Sequence, residues 1–355
     1  PAADLENLDL TNIELQRAAY FAFLTNPFFL DQDGNADPNN VDYFTFARDE
    51  FENLLGPIQQ SETVTTEGAQ YRTALSYGGN YNDKLYFGLS LGLSTINFTQ
   101  DNTYREEIQN EASFLESFEQ IDALRVRGTG VDAKIGLIYR AFDFLRLGAS
   151  FSSPRFYFLN EEFSTRFISN VFNTNDVLET FDESTLPGDF DYRLRTPWSF
   201  NAGASIFIGK KGFISAEAEY IDYSSMQLSS RDFDGIFDAD NQTINNIFQP
   251  VWNYRLGAEF RQGIFRLRGG ISLEGDPYDD IDDISRKITR ISGGLGIRQR
   301  EWYADLSLSH HRVDAAYLPY VFDSNSINAG TEPITQRVDR FLTIVLSTGF
   351  YFSFY

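Results

Sequence analysis

Apolar and polar residues alternate with a period of two through most of the chain after Gly68. The clearest case is residues 198–208, where one parity is entirely apolar: Trp198, Phe200, Ala202, Ala204, Ile206 and Ile208. The other parity begins with serine, asparagine and glycine, and the alternation resumes at 213–221 after the turn 209–212. This pattern is typical of half-buried β-strands, and a glycine-rich turn between two of them predicts a hairpin.

Segments of this kind recur about eleven times between residues 68 and 355, each long enough to cross a membrane when tilted. Their connections alternate between turns of a few residues and loops of roughly ten to thirty. A soluble β-sandwich would bury the apolar face in a core. Its connections are not expected to alternate strictly between short turns and long loops. Outer-membrane barrels place short turns on one side and long loops on the other. The pattern therefore predicts an all-β, antiparallel transmembrane β-barrel of the bacterial outer membrane.

The long segments between the predicted strands are expected to be extracellular loops, some of them helical. Residues 1–67 form an extracellular, partly helical loop region, with helical spacing at 8–20 and 42–55, and residues 68–355 form the single barrel domain. A charged helical loop is expected at about 102–121, and further loops at about 160–188 and 227–248. The apolar parity changes at Gly128–Gly130, which predicts a β-bulge or, less simply, a side portal. Trp198, Trp252 and Trp302 lie near strand ends, as expected of interfacial aromatic girdles.

The composition argues against a helical membrane protein and against a nucleic-acid-binding protein. The apolar fraction is 42% and the formal charge is −22, and no window approaches the length of an uncharged transmembrane helix. The acidic balance argues against nucleic-acid binding, which needs clustered Lys and Arg. The absence of cysteine is compatible with an exported protein without disulfides.

Strand parity predicts that the wall is incomplete. The alternating segments begin on the long-loop side and end on the short-turn side, whereas a closed antiparallel barrel with both termini periplasmic has an even strand count. An odd number of strands is therefore expected from elsewhere, most simply from N-terminal residues outside this sequence.

The hairpins resemble the FadL/TodX family of outer-membrane transporters of hydrophobic compounds. The resemblance lies in Thr196-Pro197-Trp198 through Tyr220–Ser225, in 254–260 with 265–271 and the loop at Gly275-Asp276-Pro277, and in 136–140 with 145–148. It covers roughly residues 68–355, in strand order and spacing more than in motif. The family barrel has fourteen strands and an N-terminal hatch, so the resemblance implies three missing strands. Asn26-Pro27-Phe28 does not match the hatch motif, and no ligand-contacting residue can be carried over.

Charged residues on the polar parity are the candidates for ligand binding in the lumen. They are Arg72, Arg146, Arg255, Glu259, Arg266, Arg268, Arg290 and Arg298. One interpretation is a site for a ligand carboxylate or a surface for docking a hatch, since Arg binds carboxylates bidentately. The other is a network of ion pairs with Glu217, Glu219 and Asp305, since charges away from water must be paired.

An acidic segment has the spacing of calcium ligands. Asp31, Asp33, Asn35, Asp37 and Asp42 follow an EF-type loop, but its sixth position is Ala36 and its twelfth is Asp42 rather than Glu. This segment is thus either a calcium site, with calcium as the one cofactor that the sequence suggests, or an acidic solvated loop. His310 and His311 are adjacent, so on a strand they point to opposite faces and cannot chelate together. Nothing marks a catalytic pair, and the protein is predicted not to be an enzyme.

The resemblance implies uptake of hydrophobic molecules, such as long-chain fatty acids, across the outer membrane. Capture is expected at the apolar residues of the N-terminal loop region, among them Phe21, Phe23, Phe28, Phe29 and Leu30. No energy source is apparent, so passive diffusion is expected. The implied partners are outer-membrane lipid and a hydrophobic small molecule. The alternative is an accessory barrel subunit of a larger outer-membrane complex, with its extracellular loops as docking surfaces.

Overall fold

The computed structural model describes residues 18, 22, 26–30, 36–44, 57–110, 113–173, 175–279, 284–317 and 335–350. In these ranges there are seventeen strands, and fifteen of them belong to one sheet. The two others, β1 (Asn26–Leu30) and β2 (Ala36–Phe44), pair antiparallel with each other. Among the described residues, no helix is long and apolar enough to cross a membrane.

Eleven strands of the large sheet lie side by side in one continuous path. In order they are β3 (Ile58–Tyr81), β4 (Leu85–Ile108), β5 (Leu115–Phe142), β6 (Leu145–Ser152), β10 (Ser199–Phe207), β11 (Gly212–Asp222), β13 (Pro250–Gln262), β14 (Phe265–Glu274), β15 (Ile288–Arg298), β16 (Trp302–Tyr317) and β17 (Thr335–Phe350). The predicted count of about eleven wall strands is therefore confirmed. Turns of two to four residues join β3 to β4, β5 to β6, β10 to β11, β13 to β14 and β15 to β16.

The four remaining strands of the sheet are joined to this path through the pairing of β7 with β5. β7 (Phe156–Phe172) continues β6 after a break at 153–155, and β8 (Leu178–Ser184) and β9 (Gly188–Arg195) lead back to β10. β7 pairs with β5, β8 and β9, and the short β12 (Gln227–Ser229) pairs with β9. The loop between β11 and β13 contains a 3₁₀ turn at Tyr223–Ser225 and one α-helix, α1 (Asp238–Ile247). The segment at about 227–248 was predicted as a loop, and α1 lies within it.

The chain divides into two compact units. Unit 1 contains residues 1–71, 95–128 and 159–191, and unit 2 contains residues 72–94, 129–158 and 192–355. Unit 2 buries little apolar surface, and its apolar parity is exposed, with Leu256 at 52% and Leu295 at 61%. In unit 1 apolar side chains are instead buried, as at Leu115 and Val171. An exposed apolar face with a polar face behind it is the pattern of a wall against lipid.

The predicted bulge at Gly128–Gly130 is wrong. β5 is continuous through these residues, and the same parity stays buried on both sides, at Val126, Gly130 and Asp132. What changes is the chemistry of each face, because Val126 of unit 1 is buried whereas Val131 and Ile135 of unit 2 are exposed. The apparent parity flip therefore marks where the apolar side chains pass from the buried face to the exposed face.

Two predicted loops are strands instead. The expected helical loop at 102–121 is replaced by the ends of β4 and β5, which leave only 109–114 as a connection. Its charges pair within and across strands, as Arg105 does with Glu107 at 2.7 Å and with Glu119. The expected loop at 160–188 is mostly β7 and β8. Both faces of these segments carry polar residues, so the period of two is absent from their sequences.

The strand β3 begins ten residues before the predicted barrel boundary, at Ile58 rather than Gly68. Residues 58–67 are polar at most positions of both parities, so their alternation is hidden. Of the predicted helix at 8–20, Ala18 is described and is helical. The other residues of that helix, and 45–55 of the second, lie outside the described residues. Asp42–Phe44, at the start of the second, are strand.

Aromatic rings form rows at both ends of the apolar face of unit 2. On the long-loop side, Trp198 lies 5.4 Å from Tyr220, which lies 5.2 Å from Trp252, measured between ring centroids. On the short-turn side, Trp302 is the register partner of Phe350, and Phe260 is the last apolar residue on the apolar face of β13. Trp252 and Phe260 are eight residues apart, which is about 27 Å along a strand. This spacing is comparable with the apolar band of roughly 25 Å in outer-membrane barrels.

Candidate functional site: the polar face of the wall

The polar parity of unit 2 forms one continuous surface across adjacent strands. Glu217 of β11 is the register partner of Arg255 of β13, and Arg255 is that of Ser272 on β14. Ser272 in turn pairs with Arg290 of β15, and Arg290 with His311 of β16. Because each strand alternates, these residues share the face opposite to the apolar one. In an outer-membrane barrel this face lines the lumen.

Arg255 is held between two carboxylates. Its Nη1 lies 2.6 Å from Glu217 Oε1 and its Nη2 lies 2.5 Å from Glu219 Oε2. Asn253 donates a further hydrogen bond of 3.3 Å to the same oxygen of Glu219. With two carboxylates for one guanidinium, the group formed by Arg255, Glu217 and Glu219 has a net negative charge. It therefore offers no unpaired positive charge to a ligand carboxylate.

A second network runs across β13, β14 and β16. Glu259 accepts hydrogen bonds from Arg261 Nε at 2.5 Å and from Arg268 Nε at 2.6 Å. Arg268 also donates through Nη1 to Asp305 Oδ1 at 2.6 Å. The ion-pair interpretation of the polar face is therefore confirmed for Arg255, Glu259 and Arg268, with the predicted partners Glu217, Glu219 and Asp305.

Three of the predicted arginines have no carboxylate partner in the described part of the chain. The guanidinium of Arg146 lies 4.5 Å from the ring centroid of Phe207, and that of Arg298 lies 5.2 Å from that of Tyr303. Arg266 donates to the backbone oxygens of Gly263 and Phe265, both at 2.8 Å. Arg290 is loosely paired, since its Nη2 lies 3.4 Å from Glu274 Oε1. Positive charge on this face therefore exceeds its local counter-charge near the short turns.

Arg72 belongs to a cluster that the sequence did not reveal. It binds Asp132 bidentately, with Nε–Oδ1 at 3.0 Å and Nη2–Oδ2 at 2.6 Å. Arg155 Nε lies 3.0 Å from the same Asp132 Oδ1, and Arg155 Nη1 donates to the hydroxyl of Tyr157 at 3.0 Å. The Asp132 side chain is 3% exposed, so two guanidiniums share one buried carboxylate. The alternation on β5 could have placed Asp132 on the polar face with Arg72. Nothing in the sequence indicated that Arg155 lies beside Asp132.

Two glycines make room for this cluster. A Cβ at Gly130 would lie 2.5 Å from Cδ1 of Tyr157, and a Cβ at Gly92 would lie 2.5 Å from Nη2 of Arg72. Real Cβ atoms do not approach a neighbour so closely, so any side chain at these positions would displace the ring or the guanidinium. The cluster therefore depends on glycine at both positions.

Three of the predicted candidates line one cavity on unit 2, of about 830 Å³. Arg146, Arg255 and Arg290 contribute to its wall, together with Glu217, Ser205 and Ser292. The rest of the wall consists of glycine and of short, aliphatic and aromatic side chains, with Tyr86, Phe87 and Phe207 as the rings. Pockets for small ligands commonly range from about 300 to 1,000 Å³, so the cavity has room for one.

Outside the predicted membrane segments, Arg166 of β7 forms an ion pair with Asp182 of β8. The hydrogen bond from Arg166 lowers the pKa of the Asp182 carboxyl below its usual value, because it stabilises the charged form. The pair is diagonal in the β7–β8 ladder, where Arg166 is the register partner of Ser184 and Asp182 is that of Ile168. It lies on exposed surface, with both side chains nearly half exposed.

The predicted calcium ligands are placed only in part. Asp31, Asp33 and Asn35 lie outside the described residues, while Asp37 and Asp42 lie on β2. Within the described ranges, no group of three His, Cys, Asp or Glu residues could hold a metal ion. His310 Nδ1 lies 3.1 Å from the backbone oxygen of Phe341, and the His311 ring stacks on the Phe341 ring at 4.8 Å. The calcium site stays a prediction.

Comparison with known proteins bears on the fold. No protein-family model matches the sequence, and no curated protein matches it. Among solved structures, a FadL homologue of Pseudomonas aeruginosa is similar with a TM-score of 0.50 and 14% identity, over 80% of this chain and 67% of that one. The fold is that of a FadL-type outer-membrane barrel.

Two toluene transporters also align, at lower TM-scores. TbuX of Ralstonia pickettii aligns with a TM-score of 0.43 and 13% identity, over 88% of this chain and 75% of that one. TodX of Pseudomonas putida aligns with a TM-score of 0.40 and 12% identity, over 82% and 87% of the two chains. The resemblance of the hairpins is confirmed as a resemblance of fold by the FadL homologue.

Proposed function

We propose that the protein takes up hydrophobic molecules, with long-chain fatty acids as the preferred class, across the outer membrane by passive diffusion. The observation that carries this proposal is the cavity of about 830 Å³ on the polar face of a FadL-type wall, with Arg146 and Arg290 in its lining. A wall of glycine and of short, aliphatic and aromatic side chains accepts an acyl chain of variable shape. A guanidinium without a tight carboxylate partner suits a single acidic headgroup.

The pairing of each arginine indicates which ones could receive the headgroup. Arg255 is already shared by two glutamates, so a ligand carboxylate would have to displace one of them. Arg146 contacts the Phe207 ring and has no carboxylate partner in the described part of the chain, and Arg290 Nη2 is 3.4 Å from Glu274 Oε1. Arg146 and Arg290 are therefore the proposed headgroup residues, and Arg255 is proposed to have a structural role.

The driving force of passive uptake is burial of the acyl chain. Each methylene transferred from water to an apolar environment contributes about 0.8 kcal/mol, so a long chain enters spontaneously and is released into a membrane or a binding protein. The resulting transport equilibrates the ligand and does not concentrate it. We further propose that the protein resides in the bacterial outer membrane, is not an enzyme and needs no cofactor, with calcium in the 31–42 segment as the exception to test.

Uptake of radiolabelled oleate and toluene, measured in bacterial cells that lack their own outer-membrane fatty-acid transporter, tests the proposal. Cells producing the protein should take up both compounds faster than empty cells. The double variant Arg146→Gln/Arg290→Gln should lower oleate uptake several-fold and leave toluene uptake unchanged, because toluene has no charge. Arg231→Gln, at an exposed loop position, is the matched control. Equal uptake by producing and empty cells would contradict the proposed function, and equal oleate uptake by the double variant would contradict the headgroup assignment alone.

A second candidate is an accessory barrel subunit of an outer-membrane complex, and one observation favours it. Among the described residues β3 pairs only with β4, and β17 pairs only with β16. Both strands run toward the short-turn side, so an odd number of antiparallel strands would lie between them in a closed barrel. Unpaired backbone groups are not tolerated in lipid, and the edges must therefore be covered there by strands of this polypeptide or of another. Purification from membranes should distinguish the two, since a subunit retains a stoichiometric partner chain.

A further inference from the structure

The short turns of unit 2 differ in charge from the rest of the chain. Each turn, taken with three flanking residues on both sides, lies within 79–87, 140–147, 205–214, 260–267 or 296–304. These windows contain nine basic and three acidic residues, whereas the whole chain has 29 basic and 51 acidic ones. The basic residues, called here the basic turn end, are Lys84, Arg140, Arg146, Lys210, Lys211, Arg261, Arg266, Arg298 and Arg300.

Much of this charge is available to an external partner. Lys84, Lys210, Lys211 and Arg300 are exposed and form no ion pair within the described part of the chain. Of the others, Arg140 pairs with Asp143 at 2.9 Å and Arg261 with Glu259 at 2.5 Å, whereas Arg266 contacts backbone oxygens. Intramolecular carboxylates therefore neutralise only a minority of the basic turn end.

Exposed apolar side chains accompany the basic ones in the same turns. Phe142 and Phe144 are 59% and 54% exposed and stack at 5.4 Å between ring centroids. Ile208 precedes Lys210, and Phe265 precedes Arg266, with exposures of 54% and 60%. Rings and aliphatic groups next to Arg and Lys are the composition of a segment seated at the boundary between acyl chains and headgroups.

We propose that the exposed residues of the basic turn end, Lys84, Lys210, Lys211 and Arg300, bind the anionic phosphate headgroups of the phospholipid leaflet that faces the short turns. In outer-membrane barrels the short turns are periplasmic, so this is the inner leaflet. Lys and Arg near an anionic leaflet are attracted to its phosphates, and Arg can bind a phosphate bidentately. Within unit 2, this attraction favours an orientation with the short turns toward that leaflet. This inference does not depend on which ligand the lumen carries.

Lipid retention by the purified chain tests the inference. The full-length protein, extracted in a neutral detergent and supplied with equal amounts of phosphatidylglycerol and phosphatidylethanolamine, is examined by native mass spectrometry. We expect phosphatidylglycerol to be retained preferentially. Each basic residue near an anionic surface contributes about 1 kcal/mol, or roughly five-fold in affinity. Lys210→Gln/Lys211→Gln/Arg300→Gln should therefore reduce phosphatidylglycerol retention at least about ten-fold.

The control removes the same number of charges from exposed positions distant in sequence from the short turns. Arg127→Gln/Arg231→Gln/Lys287→Gln should retain phosphatidylglycerol as the wild type does. Equal retention of the two lipids by the wild type, or an equal loss in the control variant, would overturn the inference. So would complete displacement by millimolar inorganic phosphate, since that result would indicate a simple phosphate site and not an interaction with a membrane.

Discussion

At the scale of single residues, the carboxylates that pair with arginines differ in how exposed they are and in how many guanidiniums they bind. Asp132 is 3% exposed and receives two guanidiniums, whereas Asp143 is 96% exposed and receives one. A buried carboxylate is stable in its charged form only when its partners replace the hydration that it loses. Substituting this carboxylate leaves the partner guanidiniums without a counter-charge. Asp132 and Asp143 are therefore expected to differ greatly in their contribution to stability.

The variant Asp132→Asn should destabilise the protein by about 2 kcal/mol. Breaking a fully buried ion pair costs more, but the two arginines are about a quarter exposed, and water compensates them in part. Asp143→Asn makes the same chemical change at an exposed ion pair and should cost less than about 0.5 kcal/mol. Urea unfolding in phospholipid vesicles, followed by tryptophan fluorescence, measures both. Equal midpoints for the two variants would show that the Asp132 cluster contributes nothing specific.

Gly130→Ala should also destabilise the protein, because the new Cβ would lie 2.5 Å from the Tyr157 ring. Gly269→Ala is the matched control, since nothing lies within 4 Å of its Cβ position. Overpacking of this kind typically costs about 1–3 kcal/mol, whereas alanine for glycine at an open strand position is neutral or slightly stabilising. The same unfolding measurement compares the two. A stable Gly130→Ala variant would mean that Tyr157 has room to move away from Gly130.

Sequence parity placed Arg255, Glu259 and Arg268 on one face, and their ion pairs follow from that placement. It also selected Glu217, Glu219 and Asp305 as partners. It did not find Asp132, Arg155 and Tyr157, because Arg155 follows the break at Pro154 and its distance from β5 depends on how that break is bridged. Contacts within a regular ladder could thus be predicted, whereas contacts made across an irregular segment could not.

At the scale of the elements, two breaks in neighbouring strands are stabilised by side-chain hydroxyls. Pro154 separates β6 from β7, and Pro197 separates β9 from β10. The Ala133 N–H donates to Ser153 Oγ at 2.9 Å, and the Arg155 N–H donates to Thr196 Oγ1 at 2.9 Å. Proline cannot donate to a ladder, so these hydroxyls replace bonds that regular strands would form.

Thr196→Val should therefore destabilise the protein by about 1–3 kcal/mol, since it leaves the Arg155 N–H without an acceptor at nearly constant side-chain volume. Thr196→Ser retains the hydroxyl and should lie within about 0.5 kcal/mol of the wild type. Hydrogen exchange at the Arg155 amide reports the local effect, with faster exchange in the valine variant only. Unchanged exchange in Thr196→Val would indicate that another group accepts this bond.

The predictable elements were those whose two faces differ in polarity. β10, β11 and β13–β16 alternate cleanly, and the predicted segments 198–208 and 213–221 match β10 and β11 within one or two residues. β7 and β8 were missed because both of their faces carry polar residues. On β7 even the buried parity includes Ser169 and borders charged neighbours such as Arg166. The helix α1 lies in a segment predicted as a loop, since its ten residues carry few apolar positions.

At the scale of the whole molecule, transport requires that the apolar face of the wall meet lipid and that the polar face line the lumen. The apolar parity of unit 2 is exposed, and rings lie near both of its ends. The polar parity carries the ion pairs and lines the cavity. A soluble sandwich with the same alternation would bury the apolar parity. The fold of a FadL-type barrel and the exposed apolar face support the same conclusion, and this conclusion underlies the proposed transport, the headgroup arginines and the basic turn end.

Spin-label accessibility along β13 tests this conclusion most directly, and the absence of native cysteine makes single-site labelling straightforward. Cysteines are introduced one at a time at positions 253–258 of the protein in phospholipid vesicles. Labels at Tyr254, Leu256 and Ala258 should collide with dissolved oxygen, which concentrates in lipid. Labels at Asn253, Arg255 and Gly257 should collide with a water-soluble nickel complex. If the nickel complex reached both parities equally, or reached the apolar parity alone, the wall would not face lipid and the account would be contradicted.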